Sequence, residues 1–302
     1  MLAVDFGMGW LGETLAFVRK WRELLNDEDA MTGTAPLTNL TEVMRLVERM
    51  LREAGEHLKA AHRQPRAVTF KGDVNLVTQT DFALEALLVG QLHERFPDHA
   101  ILAEEGTDFK GQPGYRWVVD PLDGTNNFAH GFPVFCITMA LLDEAGPLVA
   151  GTFDPLRDEM FTAVRGQGAH LNGQRMAVSA VDELRHGLLS TGFPYNRHEP
   201  DADDNTDMVK LFIKRAQGLR RAGSAALDAA YVACGRLDGH WELGLRPWDV
   251  AAGILLVREA GGRVSDYGGD ESMAMVQNES RLVFSNGLLH DSMLRVLAER
   301  YS

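Results

Sequence analysis

Asp120-Pro121-Leu122-Asp123-Gly124-Thr125 sets two carboxylates three residues apart, around a proline and ahead of a glycine. Two acids held that close repel each other unless a cation lies between them. Aspartate oxygens and a turn carbonyl suit a hard ion such as Mg2+, which keeps waters and shares its coordination with phosphate. Gly124-Thr125-Asn126 then offers backbone N–H groups and a hydroxyl, the donors that a phosphate needs. The spacing reads as a metal-and-phosphate turn, although Asp, Pro and Gly also build plain β-turns. More acids stand in matching settings. Glu104-Glu105-Gly106 closes the apolar run 100–103, and Asp249 opens the Ala-rich run 250–257. An acid at a helix start caps the first turn, and it can coordinate a metal at the same time.

The elements that must position these acids are legible from periodicity. Trp117-Val118-Val119 has the β-branched character of a short buried strand, and Pro121 is expected to end it at Asp120. From Thr41 an amphipathic helix shows Val43, Leu46, Val47, Met50, Leu51, Ala54 and Leu58 at helical spacing. A second helix follows Asp81, whose side chain would suit its N-cap. Strands are expected over 135–142, 149–153 and 160–164 as an antiparallel set with a turn at Glu144-Ala145-Gly146. Beyond 187–193 the pattern alternates helix and strand as far as a last helix over 290–300. Residues 225–233 read as an ordinary packed helix. Blocks of strands followed by alternation suggest a layered architecture.

Asp120-Pro-Leu-Asp-Gly-Thr-Asn-Asn-Phe128, together with Trp248-Asp-Val-Ala-Ala-Gly253 and Glu259-Ala-Gly-Gly262, resembles the paired signature of the inositol monophosphatase family. The resemblance spans about residues 41–300, and two long motifs in the right order make chance agreement remote. That family comprises Mg2+-dependent, lithium-sensitive phosphatases of small phosphate monoesters. The resemblance implies an α+β fold, a layered α-β-α-β-α sandwich with mixed sheets, and a homodimer. It also implies an N-terminal extension over 1–40, a metal-binding half over 41–185 and a substrate-reading half over 186–302. Glu104, Asp120, Asp123, Asp249 and the backbone carbonyl of Leu122 match its ligands for two to three Mg2+ ions. Thr125 matches the threonine that, with an upstream acid, orients the attacking water. Asp81 matches that acid, while Lys71 and Asp73 in the same segment align less securely.

Gly124 and Thr125 would hold the phosphate through backbone N–H groups, with Asp123 and Asp249 beside it. Gly223, Ser224 and Ala225 match polyol-contacting positions, and Glu242 matches a glutamate that hydrogen-bonds ring hydroxyls. The implied activity is hydrolysis of inositol 1-phosphate, or a similar polyol monophosphate, by water attack assisted by bound ions. Fructose-1,6-bisphosphatase, histidinol-phosphate phosphatase and 3′-phosphoadenosine phosphatase remain alternatives within the fold. The basic cluster Lys210, Lys214, Arg215, Arg220 and Arg221 would serve a second phosphate or a nucleotide, or simply be solvated on a helix beside Asp204 and Asp207. A regulatory binding protein without turnover is the alternative of another class.

Composition sets the outer limits. The 302 residues are 45% hydrophobic, enough for a sizeable core, and the net charge of −13 argues against nucleic acid or an anionic membrane as main partner. Cys136 and Cys234 read as reduced core residues rather than a disulfide framework. The N-terminus makes a poor signal peptide, no run approaches a transmembrane span, and the expected location is cytoplasmic. Gly7-Met8-Gly9-Trp10-Leu11-Gly12 matches a dinucleotide fingerprint but lacks its strand–helix–strand context. No His/Cys zinc pattern or G-x-S-x-G is present. His130 is expected to pack near the site.

Overall fold

The computed structural model describes residues 39–63, 68–70, 76–198, 203–276 and 279–300. Most of the 1–40 extension lies outside them, with the Gly7–Gly12 fingerprint, the expected helix from Leu15 and the alternative start at Met31. Lys71 and Asp73 lie outside them too.

Helix α1 (Leu40–His62) buries Val43, Met44, Val47, Met50, Leu51, Ala54 and Leu58 along one stripe, the period read from the sequence. Asn39 caps it, accepting from the Glu42 N–H at 3.2 Å. Strands β1 (Val68–Phe70) and β2 (Leu76–Thr78) form a small antiparallel pair leading into α2 (Gln79–Arg95). An eight-stranded mixed sheet follows, built from β3 (Ala100–Ala103), β4 (Asp108–Phe109), β5 (Arg116–Asp123), β6 (Cys136–Asp143), β7 (Gly146–Asp154), β8 (Glu159–Val164), β9 (Gly168–Leu171) and β10 (Gln174–Arg175). Its order is β10-β9-β8-β7-β6-β5-β3-β4, antiparallel except between β3 and β5. A short helix, α3 (Thr125–His130), leaves the end of β5.

The second sheet has five strands, β11 (Leu188–Thr191), β12 (Gly218–Arg220), β13 (Gly239–Leu245), β14 (Arg263–Asp266) and β15 (Ser280–Ser285), in the order β12-β11-β13-β15-β14. Four helices accompany it: α4 (Thr206–Ile213), α5 (Ala225–Ala233), α6 (Pro247–Glu259) and α7 (His290–Ala298).

Five layers result. Helices α1 and α2 cover the outer face of the large sheet, and α5 and α6 lie between the two sheets. Helices α4 and α7 close the far side. The middle layer explains the composition of α5 and α6. Ala226, Ala229, Ala230, Ala251, Ala252 and Ile254 are buried all round, because each helix meets a sheet on two sides. The fold is the α+β sandwich with mixed sheets that the motifs imply.

One expectation about β5 needs correction. The strand does not stop at Asp120 but runs on through Pro121 to Asp123. The ladder to β6 shifts register between Asp120 and Asp123, so proline's missing N–H falls where regular pairing is already broken. The irregularity re-aims the backbone and lets both carboxylates reach one rim.

Candidate active site

The acids of the site arrive on separate elements. Glu104 follows β3, and its N–H donates to the Val119 carbonyl of β5 at 3.3 Å, which seats it beside Asp120. Asp120 and Asp123 sit on the broken end of β5. Asp249 lies in the first turn of α6, which begins at Pro247. Its carboxylate accepts from the Arg246 N–H at 2.7 Å, so Asp249 does cap its helix. Together with Leu122 and Thr125 these residues line one cavity of about 500 Å3, within the range that encloses small metabolites.

Electrostatics in the cavity are unfavourable without a cation. Burial pushes the Asp120 carboxyl well above the usual carboxylate range, and the charges of Glu104, Asp123 and Asp249 push it further. Asp249 is raised in the same way, by burial first and then by Glu104 and Asp123. Asp123 is also raised by burial, but Ser224 and the Ala226 N–H hold its charged form and oppose the rise. Among the described residues no three such side chains are drawn tightly enough to cage an ion unaided. An open set of hard oxygen donors with mutual repulsion fits Mg2+, which completes its octahedron with water and phosphate.

Asp81 is fully buried inside α2 and is not its N-cap, since the helix begins two residues earlier at Gln79. Its Oδ1 lies 3.0 Å from Thr125 Oγ1, and the Leu122 carbonyl lies 3.0 Å from the same hydroxyl. The hydroxyl has one proton to donate to these two acceptors, and its oxygen lone pairs are free to accept from a water in the cavity. Gly124 precedes Thr125 with φ of +94°, a left-handed turn that favours glycine.

Two supporting residues were given no role by the sequence, Glu85 outside any motif and Asn127 within the Asp120–Phe128 stretch. Glu85, one helical turn after Asp81, accepts from the Glu105 N–H at 2.6 Å and from the Thr107 N–H at 3.1 Å, fixing the loop that carries Glu104. The i, i+4 spacing of two acids on a largely apolar helix was the available signal. Asn127 donates to the carbonyls of Val134 (2.7 Å) and Ala222 (2.8 Å), tying the turn to the 222–225 segment. An asparagine inside a six-residue helix was a hint of such a bond.

The positions expected to read the substrate divide. Gly223, Ala225 and Glu242 line the cavity, as do Gly124 and Ser224. The Ser224 hydroxyl is already committed: it donates to Asp123 Oδ2 and caps α5, accepting from the Leu227 N–H at 3.4 Å. Cys136 is buried as expected, yet its thiol also lies 3.7 Å from Asp123 Oδ2. Cys234 is half-buried at the end of α5, and both cysteines are free. His130 does not pack near the site; it is exposed and off the cavity wall.

Of the five clustered cations only Arg221 reaches the cavity, lying over the Phe193 ring. Lys210 pairs with Asp207 at 2.9 Å and Arg215 with Glu299 at 2.8 Å.

Known proteins resemble the chain across this whole fold. The model of the inositol monophosphatase family matches residues 39–301. The chain is 43% identical over 239 residues to the Nus factor SuhB of Escherichia coli K12, which covers 78% of this chain and 89% of that protein. It is 44% identical over 229 residues to the inositol-1-monophosphatase of Synechocystis, covering 74% and 77% respectively. The solved inositol monophosphatase of Anabaena superposes with a TM-score of 0.78 at 39% identity, covering 87% of this chain and 97% of the other. With the family model matching nearly the whole described fold and a solved member superposing on it, the chain belongs to the inositol monophosphatase family.

Proposed function

We propose that the protein is a Mg2+-dependent phosphomonoesterase that hydrolyses inositol 1-phosphate or a closely similar polyol monophosphate. The observation that carries this reading is the set of mutually destabilised carboxylates that line one cavity with Thr125, whose hydroxyl meets Asp81. Glu104, Asp120, Asp123, Asp249 and the Leu122 carbonyl would hold two to three Mg2+ ions. When bound, they supply countercharge to the phosphate dianion and Lewis-acid assistance to water and leaving oxygen. The chain's own residues do the orienting. Thr125 Oγ1, with its proton directed to Asp81, accepts from the attacking water and fixes its approach in line with the scissile bond. The Gly124 and Thr125 N–H groups bind the phosphoryl oxygens, and Glu242 accepts from a hydroxyl of the leaving alcohol.

Phosphate release tests the reading, with inositol 1-phosphate, fructose 1,6-bisphosphate, histidinol phosphate and 3′-phosphoadenosine 5′-phosphate as substrates. Each is assayed with Mg2+, with EDTA, and with Mg2+ plus Li+. Turnover led by inositol 1-phosphate, abolished by EDTA and depressed by Li+, is expected. A bis-phosphate in the lead would transfer the assignment to the alternatives, with Arg221 as the second anion's partner. Thr125→Val should lower kcat by about 10²-fold or more while KM changes little, because water orientation is lost while the backbone donors to the phosphate are kept. A loss of less than threefold would remove Thr125 from the mechanism.

The SuhB relatives favour a second reading, a regulatory protein-binding role on the same fold, with or without turnover. Capture of a stable partner by an Asp120→Asn, Asp249→Asn double variant would support it, and its absence in the same experiment would count against it. We place the protein in the cytoplasm as a homodimer, with the net charge of −13 arguing against nucleic acid as main partner. No described helix is long and apolar enough to cross a membrane. Sedimentation equilibrium gives the oligomeric state directly.

A further inference from the structure

Strands β11 and β13 run parallel in a register that sets Ser190 opposite His240 and Thr191 opposite Trp241. The two-residue period of a strand then places Gly192 beside Glu242 on the same face as the first pair. That face lies under α5, which presents Asp228. Trp241 points the other way, stacked on Phe212 with ring centroids 4.0 Å apart.

The polar atoms on this face form a chain. Ser190 Oγ lies 2.9 Å from His240 Nδ1, and Asp228 Oδ2 lies 3.7 Å from the same nitrogen. Across the ring, His240 Nε2 lies 3.3 Å from Glu242 Oε2 and has no aligned hydrogen-bond partner. His240 is fully buried and Asp228 is 2% exposed, whereas Glu242 opens to the cavity. Asp228 Oδ1 is likewise without a hydrogen-bond partner. Buried polar atoms left so are costly, and an apolar residue would be the cheaper occupant of a site with no role.

Burial pushes the Asp228 carboxyl up to about 7 against the opposing effect of His240. Burial lowers His240, but Glu242 and Asp228 outweigh it and the imidazole stays readily protonated. The other side of Glu242 is equally built. A Cβ on Gly192 would overlap its carboxylate, so only glycine leaves that seat open.

We propose that His240, backed by Asp228 and Ser190, is a positioning residue that holds Glu242 Oε2 and leaves Oε1, seated over Gly192, to accept from a hydroxyl of the leaving alcohol. The ligand class is a phosphate ester of a vicinal polyol, and the device discriminates it from esters that lack the hydroxyl. A carboxylate held by one oxygen loses little further freedom on binding, so the second oxygen reads one direction rather than many. The inference rests on the polyol-phosphatase reading of this cavity.

The test compares kcat/KM for inositol 1-phosphate with that for 4-nitrophenyl phosphate, which has no hydroxyl to read. Glu242→Gln should reduce this ratio by about tenfold. His240→Phe should reduce it by a similar factor, and the double variant no further, since both changes remove one interaction. His240→Gln keeps a donor near the Nε2 position and should recover most of the ratio, whereas His240→Asn should not. Gly192→Ala provides a variant that disturbs Glu242 without touching the buried chain, and it should also lower the ratio. Melting temperatures establish that each variant is folded.

Equal losses on both substrates in His240→Phe, or an additive double variant, would overturn the proposal. So would His240→Gln behaving no better than His240→Asn. If Glu242→Gln is itself unselective, the polyol reading of the site has failed, a result distinct from failure of the His240 contact.

Discussion

Asp120→Asn should abolish phosphate release, by about 10³-fold or more, and yet yield a folded protein that melts higher than the parent in EDTA. The activity loss follows from removing a charge at the centre of the acid cluster, where a countercharged cation is needed to approach a phosphate dianion. The gain in melting temperature follows from the raised pKa of Asp120. Burial and the neighbouring acids Glu104, Asp123 and Asp249 make its charged form unfavourable in the folded state. Asparagine keeps the shape and can still accept from the Leu122 N–H, which bonds to Asp120 Oδ1 at 2.9 Å in the parent. Differential scanning fluorimetry in EDTA and a phosphate assay in Mg2+ give the two halves of the result. Surviving activity would remove Asp120 from the metal site. A large drop in melting temperature would say that its charge is structural.

Removal of divalent cation should cost both activity and stability, and the stability cost should grow with pH. Asp120, Asp123 and Asp249 all have folded pKa values above their unfolded ones. A carboxyl of that kind binds more protons folded than unfolded, so the slope of stability against pH is negative across the window between the two values. That window opens near pH 4, where an unfolded aspartate ionises, and extends up through the raised values. In EDTA the melting temperature should therefore fall as pH climbs from about 5 to 8. Saturating Mg2+ neutralises the same charges and should flatten that slope. At about 100 times the dissociation constant, a bound ion adds about 2.7 kcal/mol, or roughly 4 °C for a chain of this size. Matched melts with Mg2+ and with EDTA at each pH measure the difference. An EDTA curve that rises toward pH 8, or no gap between the curves, would contradict a cation site among these acids.

The motif residues and the helix stripe were legible in the chain itself because each is a local pattern. Asp120 to Thr125 lie within six residues, and the stripe of α1 repeats at a fixed spacing whatever it packs against. The strands within 135–164 were legible for a related reason, as short apolar runs bounded by turn residues, and they are buried on both faces. The strand end at Asp120 was misread for the same reason: proline's local rule was applied where a register shift in the β5–β6 ladder removes the conflict.

Residue types and short spacings determined the family resemblance, the ligand candidates and the layered fold. Tertiary structure alone decided which side chains share an environment. It brings Glu85 of α2 to the loop of Glu104, spends the Ser224 hydroxyl on Asp123, and aligns Ser190 with His240 across 50 residues. It also left His130 outside the cavity and separated Arg221 from the other four cations. Contacts of that kind depend on strand register and helix placement, which are set by packing of the whole core. Nothing in the residues on either side of Asp228 or His240 records that they meet.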